Sequence, residues 1–138
     1  MELRFQINWL DNLAFQAEPP SGQNFILDGT HDEPMRGPYP TEALVASLAA
    51  CGGMDVVSIL KKKRVEITSY RIEVVASRPD SEEFPKPFTK IEVKHFVSGP
   101  NITDADVSRA LELSVTKYCK VLSTLELGPE IFSTYEIL

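Results

Sequence analysis

The stretch Pro38–Val65 constrains this chain more than any other. Between Ala43 and Leu60 its polar interruptions are Ser47, Asp55 and Ser58, so it predicts a helix apolar nearly all the way round, with Cys51 near its middle. Such a helix has to be surrounded by other structure. Pro40 falls where a first-turn proline is tolerated, because its missing N–H would be unpaired there anyway. Glu42 in the first turn and Lys61, Lys62, Lys63 and Arg64 at the far end complement the helix dipole. A membrane span is the alternative for so apolar a run. Asp55 inside the run and the Gly52-Gly53 pair argue against it, since ionisable residues are rare within spans. Met1-Glu2-Leu3-Arg4 passes at once into strand-like alternation rather than a secretory signal. The expectation is a buried helix in a soluble, cytoplasmic protein with no membrane partner.

With 138 residues, the chain is expected to form one domain, 1–138, around a single core. A net charge of −6 speaks against a nucleic-acid groove, which needs a basic patch. Cys51 and Cys119 lie far apart, and a reducing cytosol disfavours a structural disulfide. Three readings stay open on the residues alone: inert core cysteines, a thiol pair with chemistry, or half of a metal site. With two histidines and no closely spaced pair of zinc-type ligands, no metal and no cofactor are expected.

Along the chain, Glu2–Trp9 alternates, with Leu3, Phe5, Ile7 and Trp9 on one face, as a half-wet antiparallel strand does. The turn Asp11-Asn12 and the renewed alternation of Leu13, Phe15 and Ala17 predict a hairpin. Phe25–Leu27 is a short third strand, and the loop of residues 29–40 carries His31, Asp32, Glu33 and Arg36. After the central helix, Thr68–Ala76 and Phe88–Ser98 read as strands. Tyr70, Ile72, Val74 and Ala76 face inward on the first; Ile91, Val93, His95 and Val97 share a face of the second. Thr103, with Asp106 three residues on, resembles a capping box. It opens a second helix expected to run to Cys119 or a turn beyond, and Ile131–Leu138 is a last strand. The order βββ-α-ββ-α-β is an α+β domain, an antiparallel sheet wrapped around two helices. His95 reads as a hydrogen-bonded core or interface histidine, and His31 as solvated.

Gly52 and Gly53 cost helix stability, about 1 kcal/mol each relative to alanine. Their presence beside Cys51 points either to a local kink or to close approach of another backbone, the second cysteine-bearing helix being the natural candidate. At these residues the chain resembles a known family. The run PTEALVASLAACGGMDVVSILKKKRV, followed by KYCKVLSTLE, is similar to the OsmC/Ohr family, and to its OsmC-like branch in particular.

The resemblance implies an OsmC-like fold, an intertwined homodimer, and a thiol-dependent peroxidase reducing organic hydroperoxides in oxidative stress defence. By position, Cys51 matches the peroxidatic cysteine and Cys119 the resolving one, and an external dithiol would regenerate the pair. The family's peroxidases hold an activating arginine with a glutamate. The turn Leu10-Asp11-Asn12, where that arginine belongs, has none here, and Arg36 is the substitute. Glu42 takes the glutamate's role, one place later than in the hydroperoxide reductases. Nine residues before Cys51 on one helix, it lies about 13 Å away along the axis and must act through Arg36 or across a dimer. Lys120 and Leu122 stand where those peroxidases carry proline and serine. The second reading is a non-catalytic dimer of the same fold that binds a small hydrophobic ligand.

Overall fold

The computed structural model describes residues 1–31 and 34–138; Asp32 and Glu33 of the loop before the central helix lie outside the described residues. The chain divides into two compact units, Met1–Ala46 and Ser47–Leu138.

The first unit is a three-stranded antiparallel meander of β1 (Gln6–Asp11), β2 (Ala14–Glu18) and β3 (Phe25–Asp28). Gln6 faces Glu18 and Trp9 faces Phe15, and the register slips between Trp9 and Asp11. Asn12, with φ 43°, makes the tight turn that follows. The Trp9 indole N–H donates to the Asn12 carbonyl at 3.0 Å, tying strand end to turn. Ala14 and Ala17 are buried, whereas Phe5, Ile7 and Trp9, expected to face inward, are more than half exposed in the single chain. Gly37 lies against the Ile26 carbonyl so closely that a Cβ there would overlap it.

Helix α1 spans Pro40–Lys62 and begins and ends as the sequence predicts, with Pro40 in its first turn and lysines in its last. By length and composition it is apolar enough to cross a membrane, a test that core helices also pass. Its buried residues, Ala49, Gly53, Val56 and Leu60, recur at helical spacing and form one stripe. Other parts of its surface are open in the single chain: Leu44, Met54 and Val57 are exposed.

In the second unit, β4 (Ser69–Ser77) and β5 (Lys90–Ser98) pair antiparallel over their full length, with Ile72 opposite His95 and Val74 opposite Val93. Their alternation of half-buried and exposed positions follows the predicted faces. Val56, Leu60 and Ala110 form the buried core cluster, with Ile59, Tyr70, Val97 and Leu111 packed on it. Each fully buried Val or Leu contributes about 1.5–3 kcal/mol.

The α+β class and its antiparallel strands follow the sequence reading, but the described strands form two sheets, one of three strands and one of two, rather than the single sheet expected, and the end of the chain departs further. The second helix is broken into α2 (Asp104–Leu113), a π-turn (Ser114–Tyr118) and α3 (Lys120–Leu127). Thr103 caps α2 as predicted, accepting from the Asp106 N–H at 3.2 Å. The expected last strand does not form: residues 131–138 have no ladder, and Ile131, Phe132, Tyr135 and Ile137 are exposed. Alternation qualifies a segment for a sheet but cannot supply the edge it must pair with.

Candidate active site

The π-turn puts the second cysteine in position. The Cys119 N–H donates to the Ser114 carbonyl at 2.9 Å, five residues back, and widens the helix by one residue. Cys119 then leaves the helical conformation (φ −72°, ψ 102°) and becomes the N-cap of α3. Its sulfur accepts the Leu122 N–H at 3.4 Å. The side chain therefore points back towards α1, fixed by both flanking turns.

Cys51 and Asp55 come from α1, four residues apart and so on one face. The sulfurs of Cys51 and Cys119 and a carboxylate oxygen of Asp55 all lie within 4.8 Å of one another. Cys51 is half-buried, Cys119 is buried, and both are free thiols. The Ser114 hydroxyl, itself buried, donates to Asp55 Oδ2 at 2.8 Å. Burial pushes the Cys119 thiol above its ordinary value, the Leu122 N–H acts against this, and Cys51 and the Asp55 charge add to the rise. Cys119 is thus held as the protonated thiol at neutral pH.

The Gly52-Gly53 pair does mark a close approach, but of side chains rather than of a backbone. A Cβ on Gly53 would meet Ile72 Cδ1 at 2.8 Å, and one on Gly52 would sit 3.7 Å from Ser114 Oγ and 3.8 Å from His95 Cε1. His95 is hydrogen-bonded, as expected: its Nδ1 lies 2.6 Å from the Tyr70 hydroxyl. Burial lowers the His95 pKa and raises that of Tyr70 to about 12, so both are neutral at pH 7. A cavity of about 240 Å³ opens beside Cys119, lined by Leu48, Val93, His95, Leu111 and Leu122 among others. Its wall is largely apolar.

Arg36 and Glu42 belong to the first unit. Arg36 Nη2 lies 2.5 Å from Asp11 Oδ1, its Nε lies 3.8 Å from Asp28 Oδ2, and its backbone N–H donates to that same oxygen at 3.1 Å. Asp28 is buried and also accepts the Thr30 N–H at 2.8 Å. Hydrogen bonds from the Thr30 side chain and backbone and from the Arg36 backbone hold its carboxyl below the usual range. Glu42 Oε1 accepts the Tyr39 N–H at 2.9 Å, which is the return half of a capping box at the start of α1. Among the described residues, the carboxylates on Arg36 are those of Asp11 and Asp28. His31, read as solvated, is exposed but has its Nδ1 2.9 Å from the Tyr39 hydroxyl.

Asp55 and Ser114 join the site although the sequence does not single them out as site residues. The signal for Asp55 is present: it is the one acidic or basic residue between Ala43 and Leu60, one helical turn past Cys51. Ser114 carried no signal, because its role depends on the π-turn.

The profile of OsmC-like proteins matches residues 29–133. The chain belongs to the OsmC-like family. It is 33% identical to protein YhfA of Escherichia coli over 136 residues, 99% of this chain and 98% of that one. A hypothetical protein from Aquifex aeolicus superposes with a TM-score of 0.77 at 26% identity, covering 93% of this chain and 89% of its own. An OsmC-like hydroperoxide resistance protein from Jannaschia shares the fold with a TM-score of 0.59 at 17% identity, over 98% and 93% of the two chains. Within the family's fold, this OsmC-like chain therefore carries a thiol pair, a carboxylate and an apolar cavity in one place.

Proposed function

We propose that this protein is a thiol-dependent peroxidase for organic hydroperoxides. The observation that carries the reading is the meeting of Cys51 and Cys119, distant in sequence, with sulfurs inside 4.8 Å beside an apolar cavity. The fold it shares with a hydroperoxide resistance protein supports the same reading. Cys51 is the more accessible thiol and takes the peroxidatic role. Its thiolate attacks one oxygen of the O–O bond; the bond breaks, the alkoxide leaves and is protonated to the alcohol, and Cys51 becomes a sulfenic acid. Cys119, kept protonated until then, attacks the Cys51 sulfur; water leaves and a disulfide forms. Two thiols of an external dithiol return the pair to the reduced state and are themselves oxidised to a disulfide. The apolar cavity favours an organic peroxide over hydrogen peroxide.

A thiolate next to Asp55 needs a cation. Arg36 is the cation the family resemblance suggests; its guanidinium pairs with Asp11 and Asp28, and Glu42 serves as a helix cap. Assembly as a homodimer belongs to the same proposal. It is supported by the apolar side chains that one chain leaves uncovered: Ile7 and Trp9 on β1, Met54 on α1, and Phe132 and Ile137 near the C-terminus. The second reading, a ligand-binding protein with inert thiols, is favoured by the same cavity.

Thiol counting separates the two. One equivalent of cumene hydroperoxide is expected to remove both thiols, reversibly with a dithiol, faster than hydrogen peroxide does. Two thiols that survive the dose would leave the ligand-binding reading in place.

A further inference from the structure

Cys51, Asp55 and Cys119 form a trio of converging donors with an unusual charge balance. Deprotonated, they would place three negative charges within 4.8 Å, and among the described residues no ion pair involves Asp55. The peroxidase reading uses the two thiols and gives Asp55 nothing to do. From this juxtaposition we infer that reduced Cys51 and Cys119, with Asp55, bind one zinc-class divalent cation in a three-ligand site with a fourth position open.

Zinc is bound by thiolates at about 2.3 Å and carboxylate oxygens at about 2.0–2.2 Å, in tetrahedral geometry. Donors arranged that way lie about 3.5–4 Å apart. The trio needs to contract by about an ångström at most, within the reach of side-chain rotation. Two thiolates select a soft or borderline ion, while the carboxylate disfavours copper(I) relative to zinc.

The surrounding contacts are of the kind that orient ligands. The Ser114 hydroxyl holds Asp55 Oδ2 at 2.8 Å, and a carboxylate oxygen of Asp55 converges with the two sulfurs. The Leu122 N–H points at the Cys119 sulfur from the first turn of α3, where it stabilises a thiolate. The three ligands come from α1 and from the junction between the π-turn and α3, both fixed by backbone hydrogen bonds. Binding displaces the proton of each thiol, so it strengthens as pH rises. It also occupies the sulfur lone pairs that attack a peroxide, so the metal-bound and peroxide-reactive states exclude each other. The inference does not rest on the peroxidase reading: a chain that binds the ion and ignores hydroperoxides keeps the one and loses the other.

The test is an anaerobic titration of the reduced, metal-free protein with cobalt(II), followed by displacement with zinc. The expected result is one equivalent per chain, with a thiolate-to-cobalt charge-transfer band and tetrahedral ligand-field bands that zinc abolishes. Prior oxidation of the wild-type protein to the disulfide should abolish uptake, an arm that needs no variant to fold. Cys51→Ser and Cys119→Ser should each lose the charge-transfer spectrum, and Ser114→Ala should weaken binding by about 10- to 100-fold. Failure of the wild-type protein to bind one equivalent, or cobalt bound without charge transfer, would overturn the inference. So would uptake that Asp55→Asn leaves at wild-type affinity. Peroxide-driven thiol loss is scored separately on the metal-free protein, so the two readings fail independently.

Discussion

Two aspartates in this molecule sit in opposite circumstances. Asp28, in the first unit, is buried among donors: the Thr30 and Arg36 N–H groups, with the Arg36 guanidinium 3.8 Å away. Asp55, in the second, accepts one hydroxyl from Ser114 and otherwise faces two thiols. The first carboxylate meets N–H donors and a guanidinium, so it is fixed as an anion and ties Thr30 and Arg36 to the end of β3. The second has no cation on its carboxylate among the described residues, and we propose it as the place where the sulfurs meet a peroxide or the carboxylate and sulfurs meet a cation. Matched charges hold structure; unmatched ones are where chemistry is left to happen.

The largest expected effect tests whether the second cluster is reactive at all. Cys51→Ser should abolish thiol loss on treatment with cumene hydroperoxide. Cys119→Ser should let Cys51 advance to the sulfenic acid without forming an intramolecular disulfide, as intact-mass measurement after trapping with a dione would show. Equal oxidation of Cys119 in the Cys51→Ser protein would mean that the two thiols are interchangeable.

Next in size, Asp28→Asn presents an amide N–H to donors that need an acceptor, and should lower the thermal midpoint at pH 7 by several degrees. Asp55→Asn should leave that midpoint nearly unchanged and speed alkylation of Cys119 at fixed pH severalfold, because the charge that opposes its ionisation is gone. Equal loss of stability in both variants, by differential scanning calorimetry, would erase the contrast between the clusters.

The two clusters should also answer pH with opposite slopes. The Asp28 carboxyl titrates lower folded than unfolded. Its stabilisation is therefore full above the unfolded value near 3.8 and is lost as pH falls through the folded one. The Cys119 thiol titrates higher folded than unfolded, so its contribution is full below about 9.0 and is lost as pH rises through the folded value. Denaturation midpoints from acid to alkali should show the acid limb flatten in Asp28→Asn and the alkaline limb flatten in Cys119→Ser.

The smallest effect concerns the glycines beside Cys51. Gly52→Ala meets only ordinary contacts and should gain about 1 kcal/mol from helix propensity. Gly53→Ala meets Ile72 Cδ1, the movable end of a side chain, and the shift it forces should offset part of that gain, leaving Gly53→Ala less stabilised than Gly52→Ala. Urea denaturation of the pair resolves the difference.

Much of the fold was legible because its signals are local. Pro40 and the basic run marked the ends of α1, alternation gave β4 and β5 with their inward faces, and Thr103 gave the start of α2. The break at Ser114–Tyr118 was not legible, since a π-turn adds one residue to a helix without changing its composition. The last strand was over-read: Ile131, Phe132, Tyr135 and Ile137 fit an extended segment, but pairing depends on an edge elsewhere. At the site, Cys51 and Cys119 came from the resemblance to a family, whereas Asp55 lay in view, one turn from Cys51. A single carboxylate one turn from a cysteine is a weak signal beside the paired cysteine and histidine spacings that mark metal sites. The partners of Arg36 lie on β1 and β3, and only the folded meander brings Asp11 and Asp28 to it.

The most direct test of the account is disulfide mapping. The reduced protein is treated with one equivalent of cumene hydroperoxide, alkylated, digested without reductant and analysed by mass spectrometry. A single intramolecular Cys51–Cys119 link is expected, absent from the untreated protein and reversed by a dithiol. Two alkylated thiols after the dose, or links only between Cys51 residues of different chains, would contradict it.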